Sequence, residues 1–73
     1  MAEFSDRIKQ LRTEQGMTQE VLGNIIGVTR FSVYTYEKGL NYPEVRCLIT
    51  LADYFKVSLD YLVGRTDNPE INR

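Results

Sequence analysis

The stretch GVTRFSVYTYEKG, residues 27–39, decides the fold. By residue preference it is a β-strand, because Val28, Phe31, Val33, Tyr34, Thr35 and Tyr36 are all β-branched or aromatic. A strand needs a partner to satisfy its backbone donors and acceptors, whereas a helix of the same residues turns some of its three rings outward. The surrounding chain decides between them.

On the N-terminal side, Phe4, Ile8 and Leu11 recur at i, i+4 and i+7, which predicts a helix over about 4–15 that stops at Gly16. Thr18 is a good N-cap for a second, two-turn helix carrying Val21, Leu22, Ile25 and Ile26 and ending at Gly27. On the C-terminal side, GLNYP is a turn cluster, and Val45, Leu48, Ile49, Ala52 and Phe55 outline the broad buried face of a helix from about 44 to 55. Ser58 caps a last helix, with Asp60 near its N-terminus and Leu59, Leu62 and Val63 as its apolar side before Gly64.

With helices on both sides, a strand over 28–36 has nothing to pair with. The helical alternative also matches the local punctuation, since Thr29 can cap the N-terminus, Gly27 permits the turn before it and Gly39 supplies the C′ position after it. The expected fold is therefore all-α, five helices in one domain spanning 1–64, with a polar and flexible tail over 65–73. Its expected core comprises Leu22, Ile25, Val33, Tyr36, Val45, Leu48, Leu51, Ala52 and Phe55. Seventy-three residues make a core that stabilises only marginally, so association with a second chain is expected.

Composition removes several function classes. The chain has no histidine and a single cysteine, Cys47, so an internal disulfide is excluded and the common zinc and triad chemistries lose their usual ligand and base. Cys47 is expected to be inert. Without a glycine-rich phosphate loop or a carboxylate pair on a cleft, the sequence offers no enzymatic machinery and implies no cofactor or small-molecule ligand. The start MAEFSDRIKQ has no apolar run behind a basic segment, and no stretch is long enough to span a membrane, so the expected setting is the reducing cytoplasm. The net charge of −1 is unlike the strongly basic footprint usual for nucleic-acid binders, and residues 1–39 hold five basic and five acidic groups.

Placed at 100° intervals, the residues of helix 3 separate into two sets. Thr29, Ser32, Val33 and Tyr36 fall on one side, and Arg30, Phe31, Tyr34, Thr35 and Lys38 fall on the other. The second set combines two cations, two rings and two hydroxyls, which suits the edge-rich groove of a duplex.

The run MTQEVLGNIIGVTRFSVYTYEKGLNYP, with RIKQLR before it and LADYFKVSLDYLVG after it, resembles the Cro/repressor-type helix-turn-helix family, also called the Xre family. The similarity covers about residues 5–64. It implies a lambda-repressor-like bundle in which helices 2 and 3 bind double-stranded DNA, the N-terminal half of helix 3 lying in the major groove. Carried over by position, Arg30, Phe31, Tyr34 and Thr35 match the base readers, while Gln19, Ser32 and Lys38 match residues that touch the backbone, and Thr29 opens the helix beside them. Arg30 can pair with guanine or grip a phosphate, Phe31 can meet only an apolar feature such as a thymine methyl, and Tyr34 can reach a base edge or a phosphate oxygen. The resemblance also pairs Glu37 with Arg12, a structural role. At Gly23 the family usually has alanine, where helices 2 and 3 come close.

The resemblance implies a repressor acting as a homodimer on a two-fold related operator. Its dimer surface is expected at the 39–43 turn and helix 5, with Leu40, Tyr42 and Tyr61. Two alternatives stay open: the chain is one domain of a longer regulator, or Phe31 and Tyr34 form an apolar patch that docks a protein.

Overall fold

The computed structural model describes residues 3–71. Five helices follow in order, α1 (Phe4–Glu14), α2 (Gln19–Ile26), α3 (Arg30–Glu37), α4 (Val45–Phe55) and α5 (Leu59–Leu62), with no strand among the described residues. The β-like stretch is thus a helix, because the elements around it give its backbone no strand to pair with. Its own ends are well satisfied: Thr29 Oγ1 accepts the Ser32 N–H at 3.1 Å, and beyond Lys38 the chain leaves through Gly39 at φ +74°.

The same side-chain capping starts α2, where Thr18 Oγ1 accepts from Val21 N–H at 3.1 Å, and α5, where Ser58 Oγ accepts from Tyr61 N–H at 3.0 Å. Between α2 and α3 the chain turns at Gly27, which sits at φ +79°, a conformation that costs residues with a Cβ. Gly23 serves a different need. A Cβ built there would lie 2.7 Å from the Val28 carbonyl oxygen, so its missing side chain lets the turn fold down onto α2.

Ile8, Leu22, Val33, Leu51 and Leu62 form the fully buried centre, one from each helix. Phe4, Leu11, Ile26, Tyr36, Ala52, Phe55 and Val57 close around them, and Ile25 and Leu48 pack half-buried against the cluster. α3 packs on α2 and α1, whereas α4 packs on α5 and α2. Cys47 is also inside, its Sγ donating to the Ile26 carbonyl oxygen at 3.6 Å.

Two positions correct the expected core. Val45 is 69% exposed and Ile49 44%, because the buried stripe of α4 runs through Cys47, Leu51 and Phe55. On a helical wheel these two residues stand about 120° and 160° from Leu51 in the middle of that stripe. α5, only four residues long, does not reach over them.

The stretch after Gly64, expected as a flexible tail, is joined to the bundle at two points. Arg7 Nη2 donates to Asp67 Oδ1 at 3.2 Å, and the Ser58 N–H donates to the Pro69 carbonyl oxygen at 3.0 Å. The Arg7 guanidinium carbon also lies 3.6 Å from the centroid of the Tyr61 ring, so this buried cation is neutralised on one side and stacked on another. Residues 72 and 73 of that tail lie outside the described residues.

Candidate nucleic-acid interface

α3 presents its surface through the way its inner side is held. Val33 and Tyr36 are buried, and Glu37 is fixed by a bidentate pair with Arg12 of α1, Nε to Oε2 at 2.6 Å and Nη2 to Oε1 at 3.0 Å. Arg12 Nη1 also donates to the Met17 carbonyl oxygen at 2.7 Å, which ties the α1–α2 turn into the same knot. Hydrogen bonding to Glu37 raises the guanidinium pKa further above its usual value, against the opposing effect of burial, so Arg12 keeps its positive charge against the Glu37 carboxylate. Glu37 is therefore not a bare acid beside the outer face of α3.

With that side anchored, the opposite side is open. Phe31 is 68% exposed and Tyr34 41%, and their rings stack at 6.1 Å between centroids with a 26° interplanar angle. Lys38 Nζ lies 5.7 Å from the centroid of the Tyr34 ring, and Arg30 projects from the first turn. Neither Arg30 nor Lys38 forms an ion pair among the described residues, whereas Arg7, Arg12, Arg46 and Arg65 all do. The unpaired positive charge thus brackets the two exposed rings. A shallow cleft lined by Gln19, Arg30, Phe31 and Tyr34 joins this face to the start of α2.

Four residues expected at the site differ from their sequence reading in detail. Gln19 does not project freely: its Nε2 donates to Glu37 Oε1 at 3.2 Å, so the amide is oriented by the buried pair and offers its remaining atoms outward. Thr35 is half-buried, and its hydroxyl donates to the Ser32 carbonyl oxygen at 2.7 Å, a local bond that the 100° wheel cannot anticipate. Ser32 and Thr29 are joined to each other, Thr29 Oγ1 donating to Ser32 Oγ at 3.2 Å, at the capped start of α3. Burial of the Tyr36 phenol, which lies under this turn, pushes its pKa up.

Of the three expected dimer residues, Leu40 is 73% exposed and Tyr42 67%, the latter tilted against Phe4 at 5.8 Å. Tyr61 is instead turned inward beneath Arg7 and is not an open surface residue. Sequence reasoning missed Val45, Ile49 and Leu59, which line the outer side of α4 and α5. The signal that finds them is angular distance from Leu51, not hydrophobicity. Among the described residues no group of three or more Cys, Asp and Glu side chains is placed to hold a metal ion, and no helix is long and apolar enough to cross a membrane.

Comparisons with known proteins converge on this arrangement. The profile of the Helix-turn-helix family matches residues 8–62. The chain is 32% identical over 68 residues to the uncharacterised HTH-type transcriptional regulator YqaE of Bacillus subtilis, covering 93% of this chain and 59% of that protein. It is 34% identical over 64 residues to the cryptic phage CTXphi transcriptional repressor RstR of Vibrio cholerae, covering 88% of this chain and 58% of that protein. The chain thus spans about three-fifths of the length of these curated relatives. Among solved structures, the P22 c2 repressor protein in complex with a synthetic operator superposes with a TM-score of 0.83 at 24% identity, over 90% of this chain and 100% of that one, a likeness of fold. The five helices of the present chain thus follow the fold of that repressor domain. The chain belongs to the helix-turn-helix family of transcriptional regulators.

Proposed function

We propose that this chain binds double-stranded DNA sequence-specifically and represses transcription in the cytoplasm as a homodimer on a two-fold symmetric operator. The observation that carries the reading is the outer face of α3, where two cations without acidic partners flank two exposed rings beside the start of α2. In this docking the N-terminal half of α3 enters the major groove. Arg30, Phe31, Tyr34 and the methyl of Thr35 meet base edges, while Lys38, Ser32 and the first turn of α2 with Thr18 and Gln19 meet phosphates, helped by the free N–H groups there. The small positive surplus of this face supports a backbone contribution that a net charge of −1 conceals.

A single domain of this size contacts too little DNA for useful affinity, which supports the dimer. The bundle measures 31 × 24 × 20 Å, a size compatible with two copies placing their α3 helices in successive major grooves about one turn of duplex, roughly 34 Å, apart. The surface best suited to the second copy is the exposed apolar side of Leu40, Val45, Ile49 and Leu59. Of the interface residues expected from sequence, Leu40 belongs to this side, Tyr42 is similarly exposed and Tyr61 is half-buried.

Binding to duplexes selected from random DNA, titrated against salt with the mass of the complex measured alongside, tests the reading. Affinity that falls steeply with salt and a complex of two chains per duplex are expected. Undetectable binding to every duplex at low salt overturns it and leaves the aromatic face as a protein-docking surface. Gln19→Ala should lower affinity evenly across sequences, whereas Phe31→Ala should relax preference at particular base pairs.

A further inference from the structure

On the outer side of α3, groups able to read bases through hydrogen bonds are scarce. Phe31 has none, and the hydrogen of the Thr35 hydroxyl is already donated to Ser32 O, leaving a methyl as its most available group. The Tyr34 ring is held by two neighbours, Phe31 stacked on one side and the Lys38 ammonium near it on another. Arg30 is then the one strong donor to a base edge in the first turn. What the face offers is mainly apolar, two rings and a methyl, with the Tyr34 hydroxyl as its one polar edge and a cation at either end.

In the major groove the apolar feature available to such a strip is the methyl group on C5 of a pyrimidine. Thymine carries it, cytosine lacks it, and 5-methylcytosine carries it at the same place in the groove. The Phe31 ring, without a donor or acceptor of its own, senses the methyl and not the group at the neighbouring C4 position. We propose that the Phe31–Tyr34 pair reads pyrimidine C5-methyl groups, so that 5-methylcytosine is accepted where thymine is, and cytosine methylation strengthens binding at a site carrying cytosine at that position. This rests on the DNA-binding reading above and gives it a consequence: occupancy that responds to the methylation state of the duplex.

The experiment uses the full chain and a duplex recovered by selection from random DNA. At each pyrimidine of the half-site, four duplexes carry thymine, deoxyuridine, cytosine or 5-methylcytosine, with the opposite base matched. Deoxyuridine differs from thymine by the methyl alone. At one or more positions the expected order is thymine and 5-methylcytosine tight, deoxyuridine and cytosine about 3- to 10-fold weaker, the range for burying one methyl. Phe31→Ala or Tyr34→Ala should remove that methyl dependence, and both rings are exposed enough for folding to survive the change. Equal binding of thymine and deoxyuridine duplexes at every position overturns the proposal, as does a methyl effect that persists in both variants. No recovered duplex at low salt overturns the DNA-binding reading itself, a different result from tight but methyl-blind binding.

Discussion

The molecule has two exposed apolar surfaces that differ in their charges. On α3, Phe31 and Tyr34 lie between Arg30 and Lys38, which have no acidic partner among the described residues. On α4 and α5, Val45, Ile49 and Leu59 are similarly exposed, but both neighbouring arginines are taken, Arg46 pairing with Glu44 at 3.0 Å and Arg65 with Asp60 at 3.4 Å, and the open Asp53 stands three residues before Lys56, the one cation there without an acidic partner among the described residues. Exposed hydrophobicity alone does not distinguish a nucleic-acid surface from a protein surface. Whether the surrounding charge is available to a polyanion does, since the α3 side offers two cations free of acidic partners and the other side a largely neutralised border.

The two surfaces also differ in how firmly they are built. α3 is held from within by the Arg12–Glu37 pair, whose side chains are 13% and 4% exposed, and by the contact of Gly23 with the turn. The outer side of α4 has no such fixture. The largest effect is therefore expected inside the α3 support. Glu37→Ala leaves the Arg12 charge buried and unpaired and should lower stability by about 3 kcal/mol in urea unfolding, while Arg12→Met combined with Glu37→Leu should recover most of it. Recovery of stability without recovery of DNA affinity would separate holding α3 in place from orienting Gln19.

Gly23→Val comes next. Its added atoms meet the Val28 carbonyl oxygen, a backbone atom that cannot swing aside, so a loss of about 2 kcal/mol is expected from thermal or urea unfolding. A loss below about 0.5 kcal/mol would show the α2–α3 turn to be far more pliant than its geometry implies. The smallest stability effect belongs to the other surface. Ile49→Ser with Val45→Ser should change unfolding free energy by no more than about 0.5 kcal/mol, as surface positions do, yet weaken self-association by about tenfold in sedimentation equilibrium. A dimer unaffected by both changes would break the assignment of that face to a second copy. Arg30→Ala sharpens the contrast from the other direction, lowering DNA affinity by about tenfold with association unchanged.

The fold was largely legible because local and global signals agree. Thr18, Thr29 and Ser58 are caps by residue type and act as caps, and the one conflict, the β-like composition of residues 28–36, is resolved by counting the possible partners of a strand. The candidate site was legible to the level of which residues face outward. Four details were not. The Thr35 hydroxyl and the Gln19 amide each had a choice between solvent and a neighbour, and only the assembled bundle brings Glu37 to Gln19. Tyr61 and Ile49 were misplaced because both depend on what lies opposite: a buried arginine draws Tyr61 in, and the shortness of α5 leaves Ile49 out. Sequence periodicity describes one helix at a time and is silent about the reach of its neighbours.

Cys47, sealed against the Ile26 carbonyl between α4 and α2, has a practical consequence. As the chain's single thiol it is hidden from solvent-borne reagents while these two helices stay together, so its labelling by a thiol reagent clocks their separation. The molecule carries its own stopwatch for opening at the junction between the helix-turn-helix and the remainder of the bundle. A duplex that slows the labelling on binding would reveal how far its grip on α2 and α3 extends into α4, without a label ever being attached to the outer face of α3.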